Sequence, residues 1–221
     1  MGVDGESAVG EGSTSYTMHV HRPKAAERIA RHLPNARLIY IVRHPMRRLE
    51  SAYMHLKFTG RTHAAFETAI EDFPHLIDTG LYWKQLSAYR THYPDNRIRV
   101  VTFEDFVRQP LHVVQELLGF LDVDPCQFEQ DWLQQRNVSK GGRFEKSALS
   151  RARTHPLFDS VSRSIPGWIK RPLKQGLTDS IRDRPVLPTT KRAEVLQRIR
   201  EDTSQILQYC GKPHDFWDLN K

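Results

Sequence analysis

Arg37-Leu38-Ile39-Tyr40-Ile41-Val42-Arg43-His44-Pro45 holds five consecutive apolar or aromatic residues, closed by a cation, a histidine and a proline. The run is β-rich and does not alternate with polar residues, which predicts a parallel strand buried on both faces. His44-Pro45 stops the strand. A helix is expected from about Met46, because Leu49, Tyr53 and Leu56 recur at helical spacing.

Working outward, Pro23 stands at the first turn of an expected helix with Ala26, Ile29 and Ala30 on one side, ended by Leu33-Pro34-Asn35. Before it, Ala8–Tyr16 reads as a loop or short strand. After the first strand, helices are expected over Thr62–Asp72 and Leu81–Tyr93. Pro94-Asp95-Asn96 forms a turn, and Arg97–Phe103 a second strand with Glu104-Asp105 at its C-terminal end. Pro110–Leu121 is an amphipathic helix, and residues 163–190, with Pro166, Pro172, Pro185 and Pro188, read as irregular. A last helix over about Thr190–Gln208 carries Val195, Ile199, Ile206 and Leu207. This order predicts a single α/β domain over residues 1–221 with a parallel sheet. Ligands of such sheets sit beyond the carboxyl ends of the strands, which points to Arg43 and Glu104-Asp105. Two strands are few for an independent sheet.

The composition fits a globular protein: 38% hydrophobic and 27% charged residues in 221. No apolar run approaches the roughly 20 residues of a membrane helix. Met1–Ser15 is Gly-rich and acidic, unlike a signal peptide. Cys126 and Cys210 are too few for a disulfide framework or a four-ligand metal site, so a reducing, cytoplasmic setting is expected. The eleven histidines show no metal-ligand spacing, and no metal is expected. A net charge of +7 favours anionic partners: a nucleotide phosphate, an acidic sugar, nucleic acid or a membrane surface.

Four stretches carry candidate chemistry. Arg43 at a strand tip and Ser51 in the next helix offer a guanidinium fork and a hydroxyl to one phosphate; the competing reading pairs Arg43 with a carboxylate and leaves Ser51 in solvent. Asn137-Val138-Ser139-Lys140-Gly141-Gly142-Arg143 combines cations with glycines that let backbone amides approach an oxyanion, or is a solvated basic loop. It lies in a segment, 136–153, with six basic residues (Arg136, Lys140, Arg143, Lys146, Arg151, Arg153) against Glu145. Glu11, within Gly10–Tyr16, either serves as an acid or base or, as we favour, fixes its loop by hydrogen bonds. Tyr82 and Gln85 open a helix, where they line a ligand cleft or Tyr82 simply packs.

In order, Gly10–Tyr16, Arg22–Ile29, Ala36–Pro45, Arg48-x-x-Ser51-x-Tyr53, Thr79–Leu86, Val100–Phe106, Phe120–Val123 and Asn137–Arg143 resemble the heparan-sulfate-type and bacterial sulfotransferases. These use 3′-phosphoadenosine-5′-phosphosulfate (PAPS). The resemblance covers about residues 9–145. It implies a P-loop-nucleotide-kinase-like fold, a three-layer parallel sheet flanked by helices, and sulfuryl transfer from PAPS to a hydroxyl or amine without a metal. Arg43 and Ser51 match 3′-phosphate contacts. Lys140, Gly142 and Arg143 match the loop that closes over the nucleotide, with one glycine more than the common spelling. Glu11 and Tyr82 match substrate-side positions, although Gly12 stands where the family often has a Lys.

The family's first strand, its phosphosulfate loop with a catalytic Lys, and its Glu or His base have no counterpart before Gly10. The expectation is the C-terminal part of a sulfotransferase that alone transfers sulfate poorly or not at all. The catalytic residues are therefore unassigned. The competing functions are a non-catalytic nucleotide- or anionic-glycan-binding module, a polyanion binder, and a nucleotide kinase. No nucleic-acid-binding motif and no Walker A loop supports the last two. The acceptor is open, with a glycan among the candidates.

Overall fold

The computed structural model describes residues 8–124 and 185–219, together with the backbone of 143–145 and 178–180. The elements are α1 (Ala25–His32), β1 (Leu38–Val42), α2 (Pro45–Phe58), α3 (Phe66–Asp72), α4 (His75–Asp78) and α5 (Tyr82–Arg90). They continue with β2 (Ile98–Thr102), α6 (Phe103–Arg108), α7 (Pro110–Leu121), β3 (Arg143–Glu145), β4 (Thr178–Ser180) and α8 (Thr189–Tyr209). Two compact units result: Met1–Arg48, Ile77–Arg136 and Ala193–Lys221 form the first, and Leu49–Leu76 and Asn137–Arg192 the second.

In the first unit β1 and β2 pair in parallel, Leu38 opposite Ile98 through Val42 opposite Thr102. Partners in a parallel ladder share a face. One face of β1 therefore joins Tyr82, Leu86, Tyr89, Tyr93, Ile206, Leu207 and Trp217 in the core, with Val42 only 1% exposed. On the other face Val101 is buried and the Arg99 guanidinium lies over Phe120 of α7, 5.5 Å from the ring centroid and within the roughly 6 Å reach of a cation–π contact. Ile39 and Ile41, however, are 39% and 55% exposed. The expected burial of β1 on both faces is thus corrected. An unbroken apolar run cannot reveal that, among the described residues, helices cover one of its faces and leave the other partly bare.

Other boundaries moved for local reasons. Thr102 is the N-cap of α6, its hydroxyl accepting from the Asp105 amide at 3.3 Å, so Phe103, Glu104 and Asp105 turn into a helix instead of extending the strand. Thr62 likewise accepts from the Ala64 amide, and α3 starts only at Phe66. α7 ends on Asp122 in the left-handed conformation, φ 56°, which Asp tolerates better than most residues and where Arg37 pairs with its carboxylate.

The second unit contains a stacked Tyr53–Phe66 pair with ring centroids 4.3 Å apart. The Tyr53 hydroxyl donates to the Ala64 carbonyl, and Lys191 pairs with Glu71 at 3.0 Å. Here β3 and β4 pair antiparallel, so part of the segment read as irregular is strand. No described helix is long and apolar enough to cross a membrane.

Asp105 shows how the carboxyl edge of β2 is fixed. Burial alone would push its carboxyl up, but Lys212 at 2.6 Å, the Thr102 hydroxyl at 2.6 Å and the charge of Arg108 outweigh that and hold it below its ordinary value. A lowered carboxyl stabilises the fold above its unfolded pKa and loses that contribution as pH falls through the folded value. Asp105→Asn is therefore expected to cost about 1 kcal/mol at neutral pH. The gap to wild type in urea midpoints should close as pH falls below about 4; a gap constant down to pH 3 would contradict it.

Candidate anion site at the strand tips

β1 ends at Val42 and the chain turns sharply into α2 at Pro45, which leaves Arg43 and His44 at the carboxyl edge of the sheet. Arg43 is half-buried, and its guanidinium lies over the Phe103 ring, 5.1 Å from the centroid. Among the described residues no carboxylate pairs with it. Glu104, next in chain to the ring that Arg43 rests on, has both oxygens occupied by other donors: the His44 amide at 3.0 Å and the Trp217 indole at 3.0 Å. A fixed cation at a strand tip, stacked on a ring and uncompensated by its acidic neighbour, is suited to hold an oxyanion.

The remaining expected residues fall in different places. Glu11 is exposed and accepts from the Tyr16 hydroxyl, which raises the Tyr16 pKa; it holds its own loop, as favoured above. Tyr82 is 3% exposed, its ring packed against Tyr40 and Trp217. Burial pushes the Tyr82 phenol well up, more than the Arg48 cation and the Arg43 backbone pull it down, so it stays protonated at neutral pH and supplies no base. Gln85 is 1% exposed and fully engaged: its side chain accepts from the His19 amide at 2.8 Å and donates to the Asp78 carbonyl at 3.0 Å. It stitches the N-terminal loop to α5.

Ser51 lies half-buried in the second turn of α2 and belongs to the second unit, as does Arg143, whose backbone opens β3. Lys140 and Gly142 lie outside the described residues. Sequence reasoning missed Trp217 and His44 as partners of Glu104, since Trp217 stands 113 residues away and no local pattern joins them. Among the described residues no cluster of His, Cys, Asp or Glu is arranged to hold a metal.

Parallel strands with helices packed on them, and a half-buried cation beyond their carboxyl ends, define an α/β protein whose candidate ligand site lies at that edge. Residues 14–127 match the model of the sulfotransferase family, just over half of the chain, and the chain belongs to that family. The fold is similar to the crystal structure of a sulfotransferase from Alicyclobacillus acidocaldarius, with a TM-score of 0.65 and 21% identity, covering 98% of this chain and 70% of that one. No curated protein matches the sequence.

Proposed function

We propose that this chain binds PAPS as the donor for sulfuryl transfer to a hydroxyl or amine of an acceptor, and that Arg43 grips the 3′-phosphate of the donor. The observation carrying this reading is the half-buried guanidinium at the β1 tip with no carboxylate partner among the described residues. Ser51 is proposed as a second phosphate contact, and Lys140, Gly142 and Arg143 as the loop over the nucleotide. In the transfer, a bond from sulfur to the acceptor oxygen or nitrogen forms while the bond from sulfur to the bridging phosphate oxygen breaks. The acceptor proton leaves to a base, and adenosine 3′,5′-bisphosphate is the second product. Negative charge builds on the bridging and transferred oxygens, and cations such as those of the late loop are suited to stabilise it.

The net charge of +7 favours an acidic acceptor, and a glycan carrying carboxylates or sulfates meets that requirement. Cys210 is a free thiol, which fits a reducing, cytoplasmic setting. Calorimetric titration of the full chain with adenosine 3′,5′-bisphosphate and with adenosine 5′-monophosphate tests the reading. The bisphosphate is expected to bind at least about tenfold more tightly, the equivalent of one charge-assisted contact. Equal affinities, or no affinity for either, would overturn it.

A further inference from the structure

The dipeptide Phe103-Glu104, at the start of α6, supports Arg43 from two directions. The Phe103 ring lies under its guanidinium at 5.1 Å. Glu104 Oε1 accepts from the amide of His44, the residue after Arg43, at 3.0 Å. The second oxygen of the same carboxylate accepts from Trp217 Nε1 at 3.0 Å. His44 is itself 7% exposed, and its Nε2 donates to the Asp218 carbonyl at 3.1 Å; a carbonyl only accepts, so Nε2 carries the proton. The β1 corner, the α6 start and the C-terminal segment are therefore closed into one hydrogen-bonded ring.

We propose that Glu104 is a positioning residue for the donor site. Its carboxylate holds the corner after β1 so that the Arg43 guanidinium stays presented beyond the strand tip, and it ties that corner to Trp217. The inference rests on the reading of Arg43 as a phosphate ligand. Its physical content is a division of labour. A carboxylate beside a phosphate-binding cation would ordinarily neutralise it and raise the cost of anion entry. Here both carboxylate oxygens are committed to neutral N–H donors. The negative charge is spent on holding backbone and indole in place, and the guanidinium is left for the ligand. The ring that props the guanidinium and the carboxylate that props the following amide sit on adjacent residues, so any shift of Glu104 also moves the surface on which Arg43 rests.

A double-mutant cycle read by calorimetry with adenosine 3′,5′-bisphosphate separates this role from a merely structural one. Glutamine at this position has only one oxygen acceptor, and its amide N–H₂ is a donor that meets a second donor. Glu104→Gln is expected to weaken binding about tenfold when Arg43 is present. In the Arg43→Lys background, where a point charge remains but the forked, stacked guanidinium is gone, the same change is expected to cost less than about twofold. Trp217→Phe keeps the carboxylate and removes one donor; it is the variant to use if Glu104→Gln fails to fold. It is expected to cost about two- to threefold with Arg43 and nothing measurable with Arg43→Lys. Equal losses in both backgrounds would mean that Glu104 only tethers the C-terminal segment, and would overturn the inference, as would an unchanged affinity. If the unmutated chain does not bind the bisphosphate, the reading of Arg43 itself falls and this inference falls with it. That outcome is distinct because it is seen before any substitution.

Discussion

Arg43→Ala is expected to weaken binding of adenosine 3′,5′-bisphosphate by about 100-fold, or about 2.7 kcal/mol. The size follows from the position of the guanidinium. It is half-buried and stacked on Phe103, and a phosphate reaching it displaces no ion pair with a carboxylate of the described residues. The effect on the fold should be small. What the free protein loses is one cation–π contact, worth about 0.5–1 kcal/mol at such a site. That corresponds to a Tm change of a few degrees at most for a chain of about this size.

Arg43→Lys should fall between, because an ammonium keeps the charge but not the bidentate fork. The same titrations at several salt concentrations exclude a general polyanion surface, which would show a steep log–log salt slope and would hardly notice the loss of one cation. An affinity unchanged by Arg43→Ala would remove the central contact of the proposed donor site.

Arg43 was legible in the sequence because two simple rules coincide on it: a β-branched apolar run ends there, and ligands of parallel sheets gather at strand ends. The same rule led to Glu104 as a neighbour of the site but not to its job. Extending the β2 run through Phe103 puts Glu104 on a strand tip, whereas the Thr102-x-x-Asp105 pattern is a helix start, and the cap rotates Glu104 toward the β1 corner. Sequence periodicity likewise could not tell that Ile39 and Ile41 would be exposed. Burial depends on what packs over a strand, and the run Leu38–Val42 would read the same with one face covered or two. Partners far apart in the chain, such as Trp217 with Glu104 or His19 with Gln85, leave no local trace at all. Gln85 is instructive here: a buried amide in a conspicuous motif invites a ligand role, yet its donor and acceptor are both consumed by backbone.

The same long-range logic sets the second large effect, on stability. α5 begins at Tyr82 with Leu81 as its N-cap, a residue whose side chain has nothing to offer the free amides of the first turn. Asp202, on α8 and 8% exposed, supplies the cap from a distance of 119 residues: its carboxylate accepts from the Trp83 amide at 3.0 Å and the Lys84 amide at 2.8 Å. The negative charge also faces the positive end of the helix. Asp202→Ala would take the acceptor from those part-buried amides and would open a hole between α5 and α8. The expected cost is about 2 kcal/mol, the top of the usual range for a helix cap. For a chain of about this length it should lower Tm by roughly 4–8 °C.

The pH dependence gives the prediction a second arm. Burial pushes the Asp202 carboxyl up, against the pull of the Lys84, Trp83 and Tyr82 amides, so the fold binds this proton more tightly than the unfolded chain does. By linkage, the contribution of Asp202 grows as pH falls through the folded pKa and levels off near the unfolded value of about 3.9. The gap between wild type and Asp202→Ala should therefore widen slightly on going from neutral pH toward pH 4, the opposite of the trend for Asp105→Asn. A gap that narrows over that range, or a Tm unchanged by the substitution at neutral pH, would show that α5 does not depend on this carboxylate for its first turn.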